Sequence, residues 1–281
     1  MVPGRFIAPH RMTRTSRPAR GLHLRPSCLC WTGIAQSVAV LSVLLAVLLA
    51  VALPGPSALA EPLAHISGAD PAPMVIPLDD TKGLTLFGTL ARVVRYHGRQ
   101  AIELTENPAT SDTASLEDMA LLDRPEFKDG TIDVWVAGTL GPHAAVDDRG
   151  FIGLAFRSTS DGSRFENIYL RPTNGRATDQ LRRNHATQYA SVPDYPWKRL
   201  RTESPGTYES YVDLVAGEWT HIRIAVNGQS AQLFVNDARQ PCLVVNDLKM
   251  DAVAGRIGLW IGPGTRGYFS RLVVTPAPRR G

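Results

Sequence analysis

Apolar residues recur at every second position over much of this chain, and that spacing limits what it can fold into. Residues 131–136 alternate strictly, with Ile132, Val134 and Val136 on one face. A period of two is that of a half-buried β-strand. Residues 221–226 and 230–235 carry the same pattern on either side of Asn227 and Gly228. An Asn-Gly pair supplies the positive φ angles of a tight turn, which predicts a β-hairpin. In that hairpin Ile222, Ile224 and Val226 share a buried face with Ala231, Leu233 and Val235. Further strand-like runs are 84–94, 100–104, 150–157, 165–171, 208–214, 242–245, 256–261 and 268–274. No convincing helical period extends beyond about two turns. Roughly ten short strands separated by Gly, Pro, Asn and Asp predict an all-β fold, a jelly-roll sandwich of two antiparallel sheets.

The first sixty residues have a different character. Arg5, Arg11, Arg14, Arg17, Arg20 and Arg25 precede an apolar run, Val38 to Leu53, followed by Pro54, Gly55 and Pro56 and then Ala58, Leu59 and Ala60. A basic flank, an apolar stretch and an A-x-A site together predict a secretory signal cleaved before Glu61. The long basic flank leaves Met12 open as a start. An uncleaved anchor is the rival reading, because residues 34–53 could just span a bilayer, and it is the one route by which a membrane enters. There is no Arg-Arg pair before the apolar run and no cysteine at the cleavage site. The general secretory route is therefore expected, with a periplasmic or extracellular destination. Residues 61–73, rich in Ala and Pro, read as a linker, and 74–281 as the jelly-roll domain.

Losing that segment changes the charge argument. The chain has 30 Lys plus Arg and 26 Asp plus Glu. Removing six leader arginines leaves 24 basic against 26 acidic residues, so the basic balance belongs to the leader and does not point to nucleic acid. Cys28 and Cys30 leave with it, which keeps Cys242 alone and excludes an intramolecular disulfide or a Cys₂ or Cys₄ zinc site. Cys242, in an apolar run, reads as an inert thiol. Oligomeric state is not legible.

Pro172 to Thr207 is a long polar, aromatic and basic insert between strand-like runs. It contains Asn174, Gln180, Arg183, Asn184, His185 and Gln188 with Tyr189, Tyr195 and Trp197. Its aromatic content argues against disorder, and loops of this length in compact domains are often functional. Six basic residues against Asp179, Asp194 and Glu203 favour an anionic or strongly hydrogen-bonding ligand, although a solvated basic loop explains the charge equally well. Alternation then places Arg157, Tyr169, Arg171, Tyr211 and Trp260 on the non-core face, with Gly153, Ala155 and Gly258 leaving room. Aromatic rings that stack on sugar CH faces, mixed with planar hydrogen-bonding groups, suit a saccharide.

Residues 150–157, Tyr169 to Asn174, the stretch from Asp179 to Asn184, and the pair 258–262 and 267–270 resemble secreted bacterial laminin-G-like domains related to the 3-keto-disaccharide hydrolase-like family. The resemblance covers Leu84 to Thr275 and implies a concanavalin A-like jelly roll with ligands on its concave sheet. That architecture hosts lectins, glycosidases and adhesion modules alike. The Glu-x-Asp-x-x-Glu strand of laminarinase-type hydrolases is absent from this sequence, so that retaining chemistry is not supported.

Three function classes remain: a saccharide-binding domain, a glycoside-cleaving enzyme and an adhesion module. For an enzyme, Glu166 or Glu209 is the candidate proton shuttle and His185 the general base. Structural ion pairs to neighbouring arginines explain the same acids, and loop packing explains the same histidine. No cofactor is expected. Asp147, Asp148 and Asp161 leave calcium open, without the spacing of a known loop. Residues 262–267 match G-x-G-x-x-G but precede a strand, so a turn is the better reading.

Overall fold

The computed structural model describes residues 71–110 and 118–278. The expected signal segment and most of the expected linker lie outside the described residues. The strands on the N-terminal side are β1 (Met74–Ile76), β2 (Leu84–Phe87), β3 (Thr89–Tyr96), β4 (Arg99–Glu106), β5 (Met119–Phe127) and β6 (Gly130–Leu140). The central part holds β7 (Ile152–Ser158), β8 (Phe165–Leu170), helix α1 (Gln180–Asn184), β9 (Thr187–Val192), helix α2 (Trp197–Glu203) and β10 (Glu209–Ser210). The chain closes with β11 (Thr220–Asn227), β12 (Ser230–Val235), β13 (Leu243–Val245), β14 (Gly255–Ile261) and β15 (Thr265–Pro276).

These strands form two antiparallel sheets. One is 8-stranded, in the order β13-β12-β11-β6-β15-β4-β3, with β1 also paired to β15; the other is 7-stranded, in the order β10-β9-β8-β7-β14-β5-β2. The molecule is an all-β jelly-roll sandwich. The main core lies between the sheets. Ile132, Val134 and Val136 of β6, with Ile222, Ile224 and Val226 of β11, face Ile152, Leu154 and Phe156 of β7 and Ile168 and Leu170 of β8. Burying alternate residues of both inner faces is what holds a sandwich together. No helix among the described residues is long and apolar enough to cross a membrane.

Several elements differ from expectation, each for a local reason. The run 84–94 is two strands in different sheets, divided at Gly88, whose φ of +57° turns the chain from one sheet to the other. In the β11–β12 hairpin Asn227 pairs with Ser230, so the turn residues are Gly228 and Gln229. Positive φ at Gly228 alone is the pattern of a type II′ turn, not the I′ turn that Asn-Gly favours. The run 208–214 contributes only Glu209 and Ser210 as strand. The insert, in contrast, holds β9, which pairs with β8 over six residues, as well as both helices. β5 carries only a weak strand signal in the sequence, because Asp123, Arg124 and Pro125 interrupt its apolar start.

Candidate functional site

Strand register builds the site. On the non-core face of the 7-stranded sheet, Glu209, Gln188, Tyr169, Gly153, Trp260 and Met119 stand in one transverse row. The next row runs Ala190, Asn167, Ala155, Gly258, Leu121. A second apolar cluster forms where the rows meet, from Met119, Leu121, Ala155, Phe165, Tyr169, Ala190, Val192 and Trp260. Tyr169 and Trp260 lie 4.7 Å apart between centroids, tilted by 40°, and Phe151 meets the Tyr169 ring edge-to-face. The room left by Gly153 is taken by Tyr169 itself: a Cβ on Gly153 would lie 2.6 Å from the Cβ of Tyr169.

Above this floor opens a cleft of about 600 Å³, within the range of small-molecule sites. Its walls are loops. Asp147, Asp148 and Arg149 come from the segment before β7, Asn174, Asp179, Leu181, Arg182 and His185 from the first half of the insert, and Pro196, Trp197 and Arg201 from the second. Asp179 caps α1 by accepting from the backbone N–H of Arg182 at 2.8 Å, which fixes the short helix so that His185 ends it facing the cleft. Asn174 ties the two turns together. Its amide donates to the His185 carbonyl at 3.0 Å, and its oxygen accepts from Arg182 Nε at 2.8 Å.

The polar end of the cleft is organised by Arg171. Its guanidinium donates to Glu209 at 3.2 Å, Gln188 at 2.9 Å, the Tyr169 hydroxyl at 3.2 Å and the His185 carbonyl at 3.3 Å. Arg201, on α2, bonds both oxygens of Glu209 and lies 4.6 Å from the centre of the Trp197 ring. The Glu209 carboxylate is therefore occupied by two guanidiniums. His185 Nε2 stands 3.6 Å from it. Burial lowers the His185 pKa below its usual value, with Glu209 opposing and Arg201 and Arg171 reinforcing the shift. Burial also raises the pKa of the Tyr169 phenol.

Of the residues singled out in the sequence, Tyr169, Arg171, Asn174, His185 and Trp260 line the cleft. Gln188 and Glu209 sit behind Arg171 as its acceptors. Gln180, Asn184, Arg183 and Tyr211 are away from it. Gln180 bonds Asn184 along the outside of α1, and Arg183 donates to the Tyr211 hydroxyl at 3.0 Å on the surface. Two placements reverse expectation. Arg157 has φ +52°, at a register shift where β7 meets β14, so alternation breaks and its side chain turns to Asp129 and to the carbonyls of Lys128 and Gly228. Glu166 has the parity of Ile168 and Leu170 and lies between the sheets. There it accepts from the Tyr189 hydroxyl and the Met250 N–H, and burial raises its pKa. Neither reaches the cleft.

Asn167 and Arg201 line the cleft, yet sequence reasoning did not select them. Parity did place Asn167 opposite the core, and that signal was available. Nothing in the sequence signalled that α2 would return Arg201 over the sheet. Much of the insert's positive charge is compensated, by Arg176 on Asp213, Arg199 on Glu203 and Arg201 on Glu209. The acids lining the cleft serve the loops: Asp148 accepts from Ala145 N–H, Asp147 pairs with Arg149, and Asp179 caps α1. No group of three or more His, Cys, Asp or Glu among the described residues is placed to hold a metal ion. Trp135 is on the outer face of the other sheet, under Arg99 and against His221.

The fold and the cleft define a jelly-roll sandwich with one sheet face roofed by its own loops. No protein-family model matches the chain, and no curated protein sequence matches it. Among solved structures it is similar to a Bacillus subtilis protein with a galectin-like fold, at 12% identity over 75% of this chain and 99% of that one, TM-score 0.47. It is also similar to a carbohydrate-binding module of Bacillus subtilis, at 9% identity over 68% and 97%, TM-score 0.43. A third is domain 4 of an extracellular arabinanase from Geobacillus stearothermophilus, in complex with arabinotriose, at 14% identity over 76% and 87%, TM-score 0.38.

Proposed function

We propose that this chain is a saccharide-binding domain and that the ligand sits in the cleft over Tyr169 and Trp260. The observation that carries this reading is the pairing of an aromatic floor with a fixed hydrogen-bonding end. Tyr169, Trp260 and Phe151 line the hollow with packed aromatic rings, while Arg171, Asn174, His185 and Arg201 border its polar end. Such a division matches a sugar ring, which is apolar across its CH face and polar around its rim. Exposed Trp197 and Leu181 at the mouth add apolar surface. Binding without turnover is the favoured form, because Glu166 lies between the sheets and both oxygens of Glu209 are held by guanidiniums. The laminin-G-like relationship and export through the N-terminal segment belong to the same proposal, carried by the sequence motifs alone.

The test uses an array of immobilised neutral, N-acetylated and uronic-acid-containing oligosaccharides, followed by product analysis of each glycan bound. Binding without new products is expected. Trp197→Ala, at an exposed rim position, should weaken binding about tenfold, the loss of one stacking contact of roughly 1.4 kcal/mol, and lower the melting temperature by no more than about 2–4 °C, the loss of the Arg201 contact. Absence of any glycan binding by the unmodified protein defeats the reading, and release of shortened sugars replaces it with the enzymatic one.

A further inference from the structure

Asn167 is out of place among its neighbours. It is 2% exposed and stands in the second row of the sheet face between Ala190 and Ala155, both members of the apolar cluster over the floor. Its Oδ1 is sealed from solvent and has no hydrogen-bond partner. A buried carbonyl oxygen without a donor is costly and is therefore rare in folded proteins unless something else supplies the donor. Leu or Ala at this position would continue the apolar cluster without that cost. The same side chain lines the cleft, and the last torsion of an asparagine is broad and two-fold, so a half-turn about it exchanges Oδ1 and Nδ2 and brings the oxygen toward the cleft.

We propose that Asn167 is a specificity-determining residue of the cleft, and that its Oδ1 accepts a hydrogen bond from a hydroxyl on the deep end of the ligand. This rests on the saccharide reading and deepens it. The ligand's ring lies beside Tyr169 and Trp260, so the hydroxyl bonded to Asn167 projects from the edge of the stacked ring. Any charged part of the ligand points outward, to the Arg171 and Arg201 end. A site with a buried acceptor aimed at one hydroxyl rejects the analogue lacking that hydroxyl far more strongly than a purely apolar pocket does.

The experiment takes the best ligand from the array and its series of single-deoxy analogues, against the unmodified protein, Asn167→Leu and Asn167→Ala. For the unmodified protein one deoxy position is expected to lose tenfold or more in affinity. Both variants should bind the parent sugar at least tenfold more weakly and no longer distinguish that deoxy analogue. Neither should melt below the unmodified protein, and Asn167→Leu should melt about 2–4 °C higher, the shift expected of about 1 kcal/mol in a domain of this size. Variants that both keep full affinity, or that still discriminate the deoxy analogue, overturn the assignment. So do variants that both melt lower, since the oxygen would then have a structural donor. Trp197→Ala separates the two levels of argument. If it loses binding while the Asn167 variants do not, the saccharide site stands and the role of Asn167 falls; if nothing binds at all, both fall.

Discussion

The Arg171 guanidinium is buried and reaches a carboxylate, a carboxamide, a phenol and a backbone carbonyl at once. Removing it takes the donor from the Gln188 carboxamide and the Tyr169 phenol, while Glu209 keeps Arg201 and the His185 carbonyl keeps Asn174. A buried acceptor left without its donor costs about 1–3 kcal/mol, so Arg171→Ala is expected to lower unfolding free energy by about that much in urea titrations. Because the two groups share one network, the Arg171→Ala, Glu209→Ala double variant should cost clearly less than the two single losses combined. Strict additivity would show that the pair is not coupled. His185 gives the residue scale its pH dependence. Its folded pKa is below its usual value of 6.5, so the unfolded chain takes up the proton first as pH falls through that value. Stability is thus expected to decline below about pH 6.5 and to level off beneath the folded pKa. His185→Gln should remove that part of the slope between pH 7.5 and 5, measured as the change in denaturation midpoint.

At the scale of elements, the cleft depends on how closely neighbouring strands cross. Gly153 on β7 lies under Tyr169 of β8 so tightly that a methyl group would meet the Tyr169 backbone and Cβ and the Ile168 carbonyl. Gly153→Ala is expected to push the Tyr169 ring off the floor and to cost about 1–3 kcal/mol. Saccharide binding should fall with it, and a variant of unchanged stability would show that the strand can give. The alternation of β6, β11 and β12 was legible because each strand buries one face only. The parity of β8 was legible too, and it correctly gave Tyr169 and Asn167 to the outer face. What alternation could not show was the bulge at Arg157, where a single positive φ cancels the pattern. The same alternation gave Glu166 the inner parity of Ile168 and Leu170, although its charge made an outer position look natural.

For the molecule as a whole, the two sheets are joined by packing and a few hydrogen bonds, such as Thr89 to the Met119 carbonyl and Arg157 to the Gly228 carbonyl, with Cys242 as a free thiol. Burial pushes that thiol up to about 11, so little thiolate exists at neutral pH. A chain beginning at Glu61 is therefore expected to melt at the same temperature with and without a reducing agent. A drop of several degrees would mean a disulfide between copies. The edges are managed in the same economical way: β10 and β13 are short, and the long edge strand β3 carries Arg92 and Arg95, charges that discourage pairing with another sheet.

The sequence by itself determined the fold class and most of the face assignments, since period-two burial is a local property that needs no knowledge of the partner strand. It also marked the stretch of chain that roofs the cleft, because aromatic and hydrogen-bonding residues crowd into it. Only the tertiary structure decided which of those residues meet. β9 had to join the sheet before Gln188 and Glu209 could fall into one row with Tyr169 and Trp260, and α2 had to fold back before Arg201 could reach Glu209. Register between distant strands is fixed by the whole sandwich, so the convergence of side chains from β8, β10, β14 and two loop helices is not encoded in any one segment.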